Sequence, residues 1–314
     1  MSEKPEIVVV GSHAPGLSVR VDHVPVPGET VIGVDFQEPV DGGKGSNQAI
    51  AAARLGAKVS FVGCVGKDRI GDEGERWMRE AGVDTSHLRR SEHVASGVGF
   101  ILLMRDGVPA MVTSMGANAE LTREDVDTSL QALRGARFLL TQFEIPRELA
   151  LTAASVAHRM GMVTIVNPAP AIERGEQRMD YVDILVPNET EAKVLLGEDP
   201  AADLPCETMA RSLWARTGAR CVIITLGKDG LVGIDQDGRW FEETPSVSVL
   251  DTSGAGDVFC AALAVRMARG ALVREASNWA CQAASLSVTR LGTIPAFPTT
   301  SEVETFILES GGGT

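Results

Sequence analysis

The sequence predicts an α/β fold: a mostly parallel sheet covered by helices on both faces, with a small second sheet beside it. Two observations carry this. Short β-branched runs alternate with helical patterns along most of the chain, which is the arrangement of strands joined by crossover helices. Two stretches break that alternation and read as strands that belong elsewhere.

Taken in order, Ile7–Val10 opens the main sheet. Leu17–Asp22 alternates apolar and polar residues, as a half-buried strand does. Lys44–Leu55 is rich in alanine and leucine, and Gly56 suits the position just past a helix end. Val59–Val62 and Arg69–Ala81 give the next strand and helix. Val98–Met104, the turn Arg105-Asp106-Gly107 and Val108–Thr113 read as a β-hairpin. Then come Phe138–Leu140, the helix Arg147–Met160, the strands Val163–Val166 and Ile184–Val186, the helix Thr208–Thr217 and the strand Cys221–Thr225. An apolar helical pattern covers Ala261–Met267. In such sheets ligands sit beyond the carboxyl ends of the strands. We expect one unit over residues 1–314, with lid strands drawn from about 13–40 and 96–115. An extension of the main sheet's edge is the alternative. The lid's exposed apolar faces need cover from a substrate or a second subunit. Gly311-Gly312-Gly313 reads as a frayed tail.

Composition narrows the function. Asp and Glu total 42 against 29 Lys and Arg, a net charge of −13. That acidity argues against nucleic acid and anionic membranes as partners. An anionic ligand must therefore be held by local donors and a metal. The five cysteines form no CxxC pair, which suits buried thiols in a reducing compartment. Ile7–Val10 is too short for a signal peptide, and no run reaches transmembrane length, so we expect a cytoplasmic protein.

The chemistry is concentrated in two glycine turns. Asp251-Thr252-Ser253-Gly254-Ala255-Gly256-Asp257 runs into the apolar helical pattern. A glycine turn opening a helix points several backbone N–H groups at one spot, and the helix dipole adds to the field. Asp257 at the helix start can accept a proton from an attacking hydroxyl. An anion cradle beside a carboxylate base is what phosphoryl transfer to an alcohol requires. A plain loop with an N-cap aspartate is the alternative. Upstream, Asp41-Gly42-Gly43-Lys44-Gly45-Ser46-Asn47-Gln48 likewise opens a helix, the one read over Lys44–Leu55. Lys44 and Asn47 there suit hydroxyls, or a hydroxyl becoming a phosphate ester. The spacing is not that of a P-loop.

Together these turns resemble the ribokinase family, the PfkB carbohydrate kinases. The likeness extends through Pro27-Gly28-Glu29-Thr30, Asn167-Pro168-Ala169-Pro170, Pro187-Asn188-Glu189-Thr190-Glu191, Thr225-Leu226-Gly227-Lys228-Asp229-Gly230 and Val288-Thr289-Arg290-Leu291-Gly292, nearly the whole chain. It implies a three-layer α/β/α fold with a β-sheet lid, often a dimer interface, and an ATP-dependent kinase of small sugars. It makes Asp257 the catalytic base, with Gly254, Ala255 and Gly256 holding the transferring phosphoryl group. Gly43, Lys44, Asn47 and Glu144 would contact the acceptor. Asn188 and Glu191 would order Mg²⁺ and phosphate, although an N-cap with its N3 partner explains the same pair. Thr225, Gly227, Lys228, Gly230 and Gly256 would meet the nucleotide, with Cys281 near the adenine; a simple hairpin turn and a core thiol are the alternatives. Asp251, Ser253, Ser287, Arg290 and Gly292 match a monovalent cation site, a potassium site in many members, but Ala296 replaces a family serine. An aspartate at its ordinary pKa of about 4 is ionised at neutral pH, ready to act as base.

The chain also departs from the family. After the first strand the family places an Asn and, two residues on, an Asp that grip sugar hydroxyls. Here those positions are Ala14 and Gly16. A buried charged hydrogen bond contributes about 1.5–3 kcal/mol, so losing both weakens ribose binding by orders of magnitude. We expect an acceptor other than ribose, or one oriented by groups such as His13, with room at Gly16 for a larger molecule such as a nucleoside. A nucleoside kinase is thus the rival enzyme, and a non-catalytic sugar- or nucleotide-binding regulator the rival of another class. A dinucleotide-dependent dehydrogenase would need a GxGxxG pattern that Gly11-Ser12-His13 lacks.

Overall fold

The computed structural model describes residues 5–38, 41–104, 109–171 and 178–311. In chain order the first half contains β1 (Ile7–Val10), β2 (Gly16–Arg20), β3 (Val34–Gln37), α1 (Gly43–Arg54), β4 (Val59–Gly66), α2 (Arg69–Glu80), β5 (Asp84–Ser91), β6 (Val98–Leu103), β7 (Pro109–Ser114) and α3 (Arg123–Ala132). The second half contains β8 (Phe138–Gln142), α4 (Arg147–Arg159), β9 (Val163–Asn167), β10 (Ile184–Leu185), α5 (Glu189–Leu196), α6 (Cys206–Thr217), β11 (Cys221–Thr225), β12 (Leu231–Asp235), β13 (Gly238–Glu242), α7 (Ala255–Ala268), α8 (Val273–Ser287) and α9 (Thr300–Gly311).

A nine-stranded sheet runs β13-β12-β11-β10-β9-β8-β1-β4-β5, parallel except where β12 and β13 join antiparallel to β11. β1 lies inside the sheet, and all four of its side chains are apolar and buried. Ile7 and Val9 pack with α1, α7 and α8, while Val8 and Val10 pack with α3, α4, α5 and α6. Period-two alternation thus feeds two cores, one on each face, and gives the three layers. Burying each such side chain contributes about 1.5–3 kcal/mol.

The bounds of α1, α2, α4 and α6 fall within two residues of those expected, whereas α7 begins six residues before the apolar pattern read at Ala261–Met267. Their ends are set locally, by Gly56 (φ +88°) after α1 and Gly218 (φ +71°) after α6. Among the strands that escape the sequence pattern are β5 and β3. β5 (DTSHLRRS) is polar because it lies at a sheet edge, where charge discourages pairing with other chains. β3 is exposed along its whole length.

The lid is a separate four-stranded sheet ordered β3-β2-β6-β7, which rules out an edge extension of the main sheet. β2 and β6 are parallel, and β6 and β7 form the expected antiparallel pair. The turn read at Arg105-Asp106-Gly107 lies outside the described residues. Register places Leu17, Phe100 and Val112 on one face and Ser18, Ile101 and Met111 on the other. The Ile101 face looks toward the loop before α1, where Asp41 stands. The opposite face leaves Phe100 and Val112 exposed. Among the described residues no helix is long and apolar enough to cross a membrane.

Candidate active site

Glu144, Asn188 and Thr225 lie at or just past the carboxyl ends of β8, β10 and β11, and hydrogen bonds join the first turns of α1 and α7 there. α7 begins there without a side-chain cap, and Gly254 takes the left-handed conformation at its N-cap (φ +75°). Ala255 N–H reaches Thr252 O at 3.3 Å. The N–H groups of Gly254, Gly256 and Asp257 have no partner among the described residues. A Cβ on Gly256 would meet nothing within 4 Å, so the helix end opens onto free space. Uncapped donors plus the dipole make this end ready for an anion.

α1 faces α7 across the site. Gly43 is left-handed (φ +73°), and a Cβ there would press on Ala14 N, Ala14 O and Glu144 Oε2. Gly45 packs its Cα against β1's end, where a side chain would strike Ser12 O and Gly11 C. These two close approaches set α1's first turn against the end of β1. Glu144 is thereby locked: its Oε2 accepts from Ser12 Oγ (2.6 Å) and from Lys44 N–H (2.8 Å). Ser12 Oγ in turn accepts from Gly45 N–H (3.3 Å).

Asp257 is buried and doubly held. Asn47 Nδ2 donates to its Oδ2 (3.0 Å) and Gln48 Nε2 to its Oδ1 (3.1 Å). Gln48 is itself fixed, with Gln142 Nε2 donating to its Oε1 (2.5 Å). Burial raises the Asp257 pKa to about 6, against the pull of Lys44 and the two amide donors. The ordinary value expected from sequence therefore does not hold. At neutral pH the carboxylate is still mostly ionised, and as a base it is stronger than a free aspartate. Burial opposes the charge on Lys44, but Asp257, Glu144 and Glu191 outweigh it and raise its pKa, so it remains a cation.

Asn188 and Glu191 form a complete capping box at the start of α5. Glu191 Oε2 accepts from Asn188 N–H (2.9 Å), and Asn188 Oδ1 accepts from Glu191 N–H (2.8 Å). Burial raises the pKa of Glu191, which shares the field of Lys44. Among the described residues no cluster of His, Cys, Asp and Glu could hold a metal by itself. A hard cation that keeps its water and takes phosphate oxygens needs only one such carboxylate, so Glu191 remains compatible with Mg²⁺. Thr225 bridges to Asn188, and Gly227–Asp229 make a 3₁₀ turn between β11 and β12, with Lys228 exposed. Gly230 presses on Glu242 O, and Cys281 lies in the field of the same Glu242, which with burial pushes the thiol up to about 12.

Asp251 ties two loops together: Oδ1 accepts from Ser253 N–H (2.9 Å) and Oδ2 from Gly292 N–H (3.0 Å). Arg290 N–H reaches Ser287 O (3.2 Å), and its guanidinium pairs with Glu302 (2.7 Å). Of the five positions read as a cation site, Asp251, Ser253, Arg290 and Gly292 thus lie on two adjoining loops and Ser287 ends α8, while Ala296 is buried.

Two expectations at the first strand fail. His13 does not face the acceptor. It is buried beneath α2, against Gly74 and edge-on to Trp77, with Nδ1 3.1 Å from Ser46 Oγ. The Ser46 hydroxyl donates to Gly42 O, so His13 Nδ1 must carry a proton and donate to it. Burial lowers the His13 pKa to about 4, so the ring is neutral. Nor is the space at Gly16 open, since the tip of Ile101 from the lid fills it, with Cδ1 2.9 Å from where a Cβ would be. Sequence reasoning also missed Ser12 and Gln48, whose partners lie far along the chain. The polar triplet Ser46-Asn47-Gln48 at the head of an apolar helix is the signal that could have found Gln48.

Comparison with known proteins agrees with this geometry. A profile described as "pfkB family carbohydrate kinase" matches residues 4–300. The chain is 37% identical to the ribokinase of Bacillus subtilis over 298 residues, covering 95% of this chain and 98% of that one. The solved structure of a Thermotoga maritima ribokinase superposes with a TM-score of 0.84 at 34% identity, covering 97% and 99% of the two chains. An Arabidopsis thaliana ribokinase solved with ribose and ATP gives a TM-score of 0.84 at 28% identity, covering 97% and 99%.

Proposed function

This chain belongs to the pfkB family of carbohydrate kinases, and from that premise we propose that it moves the terminal phosphoryl group of ATP to a primary hydroxyl of a small sugar or sugar-like acceptor. One observation carries the reading: the Asp257 carboxylate, held by Asn47 and Gln48, stands in the first turn of an uncapped helix. In the step, the acceptor oxygen forms a bond to phosphorus as the bond to the bridging oxygen of ADP breaks. The hydroxyl proton passes to Asp257. The free N–H groups of Gly254 and Gly256, with Lys44, oppose the negative charge on the transferring group, while Ala255 N–H, expected to join them, is turned to Thr252 O. Gly43, Asn47 and Glu144 shape the acceptor side. Asn188, Thr225, Gly227, Lys228 and Gly230 border the nucleotide, with Cys281 behind them. Mg²⁺ supplies charge neutralisation on the phosphates, and Glu191 would hold it through water. Asp251, Ser253, Ser287, Arg290 and Gly292 would seat a potassium ion beside the anion end of α7.

The crowding at Gly16 favours a small acceptor over a nucleoside. The exposed lid face favours a homodimer, and the buried free thiols favour the cytoplasm. The test is ADP release from Mg-ATP across pentoses, hexoses, sugar acids and nucleosides, with Asp257→Asn as control. Turnover on a sugar, lost in the variant, is the expected result. Turnover only on nucleosides, or ATP binding with no turnover on any acceptor, would refute the reading.

A further inference from the structure

The loop before α1 carries a carboxylate with no role in the reaction as described so far. Asp41 Oδ1 accepts from Asn47 Nδ2 (2.7 Å) and from Gly43 N–H (3.2 Å). The same Asn47 nitrogen donates to Asp257 Oδ2 (3.0 Å). One amide nitrogen therefore spans two carboxylates, and Asp41 stands one side chain away from Asp257. Its other oxygen, Oδ2, has no hydrogen-bond partner among the described residues. That oxygen lies 3.5 Å from the point a Cβ on Gly16 would occupy, and Ile101 Cδ1 of the lid lies 2.9 Å from the same point. A carboxylate oxygen pinned beside the base, with its lone pairs unused, calls for hydroxyl donors.

We infer that Asp41 is an acceptor-binding, specificity-determining residue, whose Oδ2 accepts a hydrogen bond from a sugar hydroxyl other than the one phosphorylated. This rests on the kinase reading above. Asp41 would supply from the α1 loop the carboxylate that the family resemblance implies at the position of Gly16. The two arrangements exclude each other, because an aspartate at position 16 would set a second carboxylate against Asp41 Oδ2. The acceptor class follows from the charges. Asp41, Asp257 and Glu144 surround it, and Lys44 is already shared among Asp257, Glu144 and Glu191. A neutral polyhydroxylated sugar fits this ring, whereas a sugar acid brings a further negative charge into it.

The experiment measures initial rates of ADP formation at saturating Mg-ATP. The sugars are D-ribose, 2-deoxy-D-ribose, D-xylose, D-arabinose, D-fructose and D-gluconate. The chains are wild type, Asp41→Asn, Gly16→Asp and the double variant. Asp41→Asn keeps an acceptor oxygen for Asn47 and Gly43, removes the charge and puts an NH2 donor in place of the free oxygen. We expect it to raise KM for the best neutral sugar by about 10–100-fold, with kcat within about threefold and KM for ATP unchanged. Gly16→Asp alone also raises the sugar KM, and the double variant recovers most of the loss. An unchanged sugar KM in Asp41→Asn would overturn the inference. So would a fall in kcat with sugar KM unchanged, which marks Asp41 as a support for Asn47 alone, or preference for D-gluconate in the wild type. Wild-type silence on every sugar, with ATP bound, would overturn the kinase reading itself and this inference with it.

Discussion

Asp257 shows how a single residue acquires its chemistry from its surroundings. The turn motif already names it as a base, but its pKa of about 6 comes from burial against partners more than 200 positions away in sequence. The sign of the pH effect follows. The base must be ionised, and ionisation is lost as pH falls through the raised value. The kcat/KM for the sugar should therefore hold from pH 7 upward, be halved near pH 6 and fall about tenfold per unit below that. A profile flat down to pH 4.5 would show that Asp257 keeps an ordinary carboxylate pKa. Lys44 and Asn47 were legible because they sit in a glycine turn, and Glu144 only through the family resemblance. Ser12, Gln48 and Asp41 were not, because what distinguishes them is a partner brought in by the fold: Glu144, Asp257 and the space over Gly16. His13 misled for the same reason, since its packing under α2 is invisible in sequence.

The element scale separates glycines that carry structure from glycines that carry function. At Gly45 a methyl group would strike the backbone of Gly11 and Ser12, so Gly45→Ala should destabilise the fold by about 1–3 kcal/mol and displace α1. At Gly256 a methyl group meets nothing, and the residue lies within α7. Gly256→Ala should therefore leave stability unchanged or raise it by up to about 1 kcal/mol, while cutting kcat by crowding the phosphoryl position. Denaturant unfolding and steady-state rates on the two variants check both halves, and equal stability losses would contradict the assignment. Asn188→Ala should lower stability by about 1 kcal/mol through loss of the capping box, whatever its effect on Mg²⁺. The helices α1, α2, α4 and α6 were legible to within two residues because glycine stops and helix-favouring composition are local signals. The strands at Val34–Gln37 and Asp84–Ser91 were not, because exposed and edge strands carry no apolar alternation.

At the scale of the whole molecule, strand–helix alternation was enough to give a parallel sheet with helices on both faces. The strands that broke the pattern do form a separate lid, and the register of that lid divides its side chains between the site and solvent. Phe100 and Val112 are 49% and 68% exposed, which leaves an apolar face without cover. Sedimentation equilibrium should therefore find a dimer, and Phe100→Glu should convert it to a monomer that still folds. A wild-type monomer at micromolar concentration would remove the lid interface from the account. The central claim, phosphoryl transfer to a sugar with Asp257 as base, is tested most directly by following ADP and sugar phosphate formation from Mg-ATP with the panel of acceptors, wild type beside Asp257→Asn. The account predicts stoichiometric ADP and sugar phosphate from at least one neutral sugar, and a loss of several orders of magnitude in kcat in the variant with ATP affinity nearly unchanged. Turnover by Asp257→Asn within tenfold of wild type would contradict it.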